Sequence, residues 1–432
     1  MKKLSIFLIL LVALDTIPCK NLASFATTTT IATITIDNEN ALLDAVDKLN
    51  KASGGVVYVN TPIIRVSSTS TIRLTSTVAG GIIGMKQSNG GYPVIDFKYA
   101  RNKGSTARGF TINGKNQYMK YLIIQNAGDN GIWINGSQNT LDHIITRYNG
   151  DTGIQLSDNA YSNYLNYCYS YRNIDVPTYG GNADGFAPKL GASKTKFNYC
   201  FAWDNSDDGW DSYDKEGDNS AIVEYLHSAC WNNGNVDVFT GKYDYNKKVA
   251  LDKNLRTIQY LMASDQNFES NYNNRKYSMS SNAKIYGMKA TDWLAQAETE
   301  MNGNGFKFGS KLTQKSPNVK RTADFSIVFD HKNKGFDNNG SEKCTGYFSN
   351  CVAFNNNINY QLPYTFALWK NNWSWTPKTL HQNKQSQSLK SPKDIAAATK
   401  EVYKVRDKII ANCKANKFDD TVNFDSVIKG LV

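Results

Sequence analysis

The feature of this chain that most constrains its fold is a recurring turn: a polar residue, then glycine, then β-forming residues. It occurs as GDNGIWI at Gly131, GDTGIQL at Gly153, NADGFAP at Gly185, SDDGWDS at Gly209, NNGNVDV at Gly234, GNGFKFG at Gly305 and NKGFDNN at Gly335. Three steps between these glycines are 22, 24 and 25 residues, and the others, 32, 71 and 30, fit that period with insertions. A period in the twenties, with strand-forming residues and a turn glycine in every unit, reads as a parallel β-solenoid with one coil per unit. A leucine-rich repeat shares the period but needs a Leu framework that is absent here.

The rest of the chain fits around that body. With 432 residues it is long for one ordinary domain, but a solenoid forms a single extended body at this size. Abundant Asn, Gly, Ser, Thr and Tyr with only 9 Pro suit tight, hydrogen-bonded turns. Residues 1–26 read as a secretory leader, with Lys2 and Lys3, an apolar run from Leu4 to Leu14, and Ser24-Phe25-Ala26 as the cleavage site. Cys19 follows Thr16-Ile17-Pro18, a poor match to a lipid-anchoring signal. No later run approaches the roughly 18 apolar residues of a membrane span, so an exported protein is expected.

After Asp37 or Asn38 a helix is expected through about Lys51, with Leu42, Leu43, Val46 and Leu49 on one face, placed to cover the first solenoid edge. The solenoid is expected over residues 27–378. Residues 235–301 break the repeat and carry helical stretches, KKVALDKNLRTIQYLMA and ATDWLAQAETEM, so they form an excursion beside the turns. Beyond Tyr360 the repeat fades. Residues 379–432 read as a linker and a terminal helix lying along the body.

Loss of the leader removes three lysines and one aspartate, taking the formal charge from +11 to +9. For an exported protein that balance points to an acidic polysaccharide partner rather than nucleic acid, although surface charge also serves solubility. Six cysteines remain, Cys168, Cys200, Cys230, Cys344, Cys351 and Cys413. The first three recur at one repeat position, which suits a stack of buried thiols at least as well as a bridge. A monomer is expected.

Two successive turns concentrate charge. NADGF and NSDDGWD bring Asp184, Asp207, Asp208 and Asp211 into two units aligned on Gly185 and Gly209. Stacked coils stand about 4.8 Å apart. Asp184 and Asp208, each just before its glycine, would then superpose, and four carboxylates in so small a volume call for a hard cation such as Ca2+. One Asp per turn is ordinary turn chemistry, as at Asp129 and Asp151, but DDGWD exceeds it. In the same register Lys307 follows Gly305 by two residues, as Asp211 follows Gly209, so the two share a side on nearby coils. An amine beside a divalent cation has its pKa lowered and becomes the best general base in the chain. Lys189 and Arg172 flank the first acidic turn and are candidates for a substrate carboxylate, or else solvated charges. Trp210 either packs in the coil or stacks on sugar. His143, His227, His331 and His381 show no nucleophile pattern. Asn135, Asn339 and Asn372 head glycosylation sequons.

NADGF, WDNSDDGWD, NGNGFKFG, NKGFDNN and the NNNINY of Asn355 to Tyr360, in that order over roughly residues 110–360, resemble polysaccharide lyase family 9. The resemblance implies a right-handed parallel β-helix, here with an N-terminal capping helix, a partly helical insertion and a C-terminal helical tail. It implies Ca2+ on Asp184, Asp207, Asp208 and Asp211, with Lys307 as the base of a β-elimination. The substrate implied is pectate, with rhamnogalacturonan as the alternative, since relatives differ. The rival readings are a β-helix glycoside hydrolase with paired carboxylates, and a calcium-stabilised polysaccharide-binding protein.

Overall fold

The computed structural model describes residues 32–51, 54–67, 71–97, 107–214, 221–240, 290–309, 319–339, 344–362, 366–376 and 389–431. The expected leader and the stretch 247–263 lie outside them. Within them the chain winds as a parallel β-helix. A typical coil places strands at Tyr164–Asn166, Tyr169–Tyr171 and Phe186–Pro188, and the next repeats them at Thr195–Asn198, Phe201–Trp203 and Trp210–Asp211. Coil-to-coil pairing is parallel and in register, with Tyr169 on Phe201, Phe186 on Trp210 and Trp210 on Phe306. Nine strands, from Ile72–Leu74 to Ile358–Gln361, build the sheet that follows the glycine turns.

The glycine of each turn is a packing requirement. A Cβ on Gly131, Gly185, Gly209 or Gly305 would lie 2.7 or 2.8 Å from the carbonyl oxygen of the turn glycine one coil on. No side chain fits there without parting the coils, which explains the repeat that the sequence displays. The other corners of the coil are single residues in the left-handed region, such as Tyr121, His143, Tyr167, Tyr199 and His227, with φ between 50° and 57° except for Tyr167 at 48°. That conformation costs roughly 1–2 kcal/mol for a residue with a Cβ. It is offset by ring stacking, since these five rings follow one another at centroid distances of 4.7, 4.9, 4.8 and 4.6 Å.

Inside, Ile132, Ile154, Phe186, Trp210, Phe306 and Phe336 form a column of buried side chains. Trp210 is wholly buried between Phe186 and Phe306, at 4.8 and 4.5 Å, so it packs in the coil. A second column is polar. Asn149, Asn173, Asn205 and Asn233 pass side-chain hydrogen bonds from coil to coil at 2.8–2.9 Å. His331 continues the ladder, accepting from Asn233 at Nε2 and donating to Asn356 from Nδ1. Burial lowers its pKa to about 4, so it is neutral, as these two roles require. The six cysteines after the expected leader are buried and unbridged.

Three expectations need adjustment. The N-terminal helix spans Glu39–Lys51, and Asn38 Oδ1 caps it by accepting from Ala41 N at 3.0 Å. Its buried face is Leu42, Ala45, Val46 and Leu49, whereas Leu43 is exposed because it falls about 100° from Leu42 on the helical wheel. Gly234 does not join the turn-glycine column: Trp210–Asp211 pairs directly with Phe306–Lys307, and Gly234, at φ +72, is where the chain leaves the coil. The repeat also outlasts Tyr360, for Phe366–Lys370 and Trp373–Trp375 add two further strands. Of the excursion, Ala290–Glu300 is helical as expected, and Met301 after it packs against Gly180 beside the first acidic turn. The terminal helix Ile395–Lys414, capped by Asp394, lies along the outside of the body as expected. Its Val402, Ile409 and Cys413 pack with Tyr169, Trp203, Trp231, Phe329 and Trp375. Among the described residues no helix is long and apolar enough to cross a membrane.

Candidate active site

The residues preceding the turn glycines form a column whose order is fixed by the backbone. Gly153 N donates to Asp184 O at 3.0 Å, Gly185 N to Asp208 O at 2.9 Å, Gly209 N to Asn304 O at 2.9 Å and Gly305 N to Lys334 O at 2.8 Å. Asp184 and Asp208 are therefore stacked neighbours. Asp207, adjacent to Asp208, joins them, and a carboxylate oxygen from each of the three lies within 4.8 Å of the others. Two residues past the glycine, Asp211 pairs in register with Lys307.

Two lysines reach into this acidic group. Lys307 Nζ stands 2.9 Å from Asp208 Oδ2 and 3.4 Å from Asp211 Oδ1. Lys189 Nζ stands 3.0 Å from Asp184 Oδ2 and 2.8 Å from Asp211 Oδ2. Lys189 is thus a mostly buried member of the cluster, not a solvated charge. Arg172 occupies a left-handed corner at φ 56, and its ion pair, at 3.4 Å, is with Asp204, outside the cluster. The turn after Arg172 separates it from Asp184 in the coil.

The electrostatics are those of an over-charged site. Burial pushes the Asp184 carboxyl well above its usual range, and Asp211, Asp207 and Asp208 add to this against Lys189. Burial and Asp208 raise Asp207 to about 7. Burial also disfavours ionised Asp211, but Lys189 and Lys307 outweigh it and hold that carboxyl below its usual value. For Lys307 burial favours the neutral amine, yet Asp208 and Asp211 hold its pKa above the ordinary lysine value. This is opposite to the lowering expected beside a bound cation, because here the amine itself neutralises the carboxylates.

Four carboxylates against two ammonium groups leave a formal charge of −2, which one divalent cation balances. The donor set fits Ca2+: hard oxygens from Asp184, Asp207, Asp208 and Asp211 in two stacked turns. Asn304 was not foreseen, although its place before Gly305 aligns it with Asp184 and Asp208. Its N and Nδ2 donate to Asp208 Oδ1 at 2.6 and 3.0 Å, while its own Oδ1 is buried with no hydrogen-bond partner among the described residues. An orphaned oxygen beside clustered carboxylates is a further reason to read this as a cation site.

Comparison with known proteins agrees with the fold. A pectate lyase L from Paenibacillus polymyxa is 37% identical over 195 residues, which cover 42% of this chain and 43% of that protein. The chain thus matches less than half the length of that relative. Among solved structures, pectate lyase Pel9A superposes with a TM-score of 0.57 at 21% identity, covering 85% of this chain and 83% of that one. A rhamnogalacturonan lyase superposes with a TM-score of 0.51 at 17% identity, covering 83% and 86%. These two likenesses speak to the fold. The family description "Pel9A-like, right handed beta helix region" matches residues 27–248, just over half of the sequence. The chain belongs to the Pel9A-like right-handed β-helix family.

Proposed function

We propose that this chain is an exported, calcium-dependent polysaccharide lyase that cleaves pectate by β-elimination, with Lys307 as the base. The observation that carries the reading is the pairing of clustered carboxylates with a lysine amine 2.9 Å from one of their oxygens. A pectate lyase relative and family membership supply the substrate class. The leader-like residues 1–26 support export.

Asp184, Asp207, Asp208 and Asp211 would hold the cation. When bound, Ca2+ supplies positive charge for the uronate carboxylate and draws electron density from the neighbouring C5. Lys307, freed from its carboxylate partners, takes the C5 proton. The electron pair of the C5–H bond forms a C4–C5 double bond, and the C4–O bond breaks. The departing oxygen takes a proton from solvent and leaves as a hydroxyl, while the other fragment carries the unsaturated uronate. Lys189 bridges Asp184 and Asp211 and offers a further ammonium for a substrate carboxylate at the cluster.

The test is to incubate the protein with polygalacturonate and with rhamnogalacturonan, and to follow the ultraviolet absorbance of unsaturated products. Absorbance rising on polygalacturonate supports the reading; a rise only on rhamnogalacturonan transfers it to that polymer. Chain shortening without absorbance would mean hydrolysis, and would overturn it.

A further inference from the structure

The column that supplies Asp184 and Asp208 extends in both directions, and its far end is cationic. Gly109 N donates to Asn130 O at 2.9 Å and Gly131 N to Thr152 O at 3.2 Å, so Arg108, Asn130, Thr152 and Asp184 stand on four successive coils. Two positions past the glycines, the residues turned away from the core column are Thr111, Trp133, Gln155 and Ala187 in the same order, followed by Asp211 and Lys307; Thr111 and Ala187 are themselves wholly covered. Ile132 and Ile134 point into the core, so the indole between them faces outward and is half-buried.

Arg108 sits over this indole, with its Cζ 4.0 Å from the Trp133 ring centroid. Among the described residues its ion pair is a long contact from Nε to Asp129 Oδ1 at 3.5 Å. Asp129 and Asp151 are the acids nearest the guanidinium, and each is also turned to its own backbone, accepting from Asn130 N at 3.0 Å and Thr152 N at 2.7 Å. Among the described residues the two terminal nitrogens of Arg108 have no acceptor. A planar guanidinium held on an aromatic face, with its outer edge unengaged, has the geometry for two parallel hydrogen bonds to a carboxylate.

We propose that Arg108, supported by Trp133, is a distal subsite that binds a uronate carboxylate of the polymer. This deepens the function proposed above and rests on it. The subsite lies three coil spacings, about 14 Å, from Asp184 along the solenoid axis. One coil spacing is close to the length of one sugar unit in an extended polymer, so a chain lying along these outward positions would bring successive carboxylates past successive coils. Gln155, half-buried between them, carries no charge and would let the chain pass. The subsite gives the protein a reason to prefer long uronate chains over short ones.

The experiment compares wild type, Arg108→Gln and Arg108→Lys on uronate oligomers of three and six units, with melting temperature as the check on folding. Arg108→Gln should raise KM about tenfold on the six-unit chain, the loss expected of a charge-assisted hydrogen-bonded pair, with kcat unchanged and the three-unit chain unaffected. Arg108→Lys, which keeps the charge but loses the planar fork, should fall between and guards against a folding defect in the glutamine variant. Unchanged KM at both lengths in folded variants would overturn the subsite, as would equal losses at both lengths. If wild type produces no unsaturated ends at all, the lyase reading falls. Calorimetric binding of the six-unit chain then decides the subsite separately: weaker binding by Arg108→Gln supports it, and equal binding overturns it.

Discussion

Lys307 sits one coil beyond Asp211 in the same register, with its amine 3.4 Å from Asp211 Oδ1 and 2.9 Å from Asp208 Oδ2. A candidate base and the carboxylates it would have to leave thus share one site. While the carboxylates are not neutralised, the amine is held protonated. A cation that takes over the carboxylates releases the amine, so metal binding and the availability of the base become one event.

The first prediction concerns that cation. Asp207 has its folded-state pKa raised to about 7, above the unfolded carboxylate value near 4. Between these values the folded state binds more protons than the unfolded one, so metal-free stability falls as pH rises through this window. Calcium should therefore raise the melting temperature more at pH about 8 than at pH about 5. Asp208→Asn should abolish most of the shift. A thermal titration with calcium at the two pH values checks both.

A second prediction follows from the ladder. His331 is wholly buried with its pKa depressed to about 4, so the stability it confers is full above pH 6.5 and is lost as pH falls toward 4. The shift corresponds to about 3 kcal/mol. His331→Asn keeps a ladder-forming side chain and cannot charge. Denaturant unfolding at pH about 7 and about 4.5 should show a loss in wild type that exceeds the loss in the variant by roughly this amount.

Trp210 gives a third. Truncation to alanine opens a cavity between Phe186 and Phe306 and should cost about 3–5 kcal/mol. Equilibrium unfolding would measure it. A cost below about 1 kcal/mol would mean that the coil collapses to fill the space.

How far the sequence could be read follows from what sets register. The turn glycines are obligatory because each approaches the next coil's carbonyl, so counting from them placed Asp184 over Asp208 and Lys307 beside Asp211. That count survived the 96-residue step from Gly209 to Gly305 in the sequence. It failed at Gly234, where a glycine serves a left-handed exit instead. Arg172 is itself a left-handed corner, paired with Asp204, and that conformation is invisible in residue type. The asparagine ladder was legible only in retrospect: Asn149 and Asn205 lie 4 residues before a turn glycine, but Asn173 lies 12 before one, Asn233 precedes the exit glycine, and His331 interrupts the spelling while preserving the hydrogen bonds. Leu43 was misread because apolar character alone does not fix a helical face.

The most direct test of the central claim is the initial rate of ultraviolet-absorbing product from polygalacturonate, measured for wild type and Lys307→Ala with calcium and with chelator. Wild type with calcium should produce unsaturated ends, chelator should abolish them, and a folded Lys307→Ala should lose at least about a hundredfold in rate, the lower bound for removing a general base. A folded Lys307→Ala that eliminates at the wild-type rate would contradict the account.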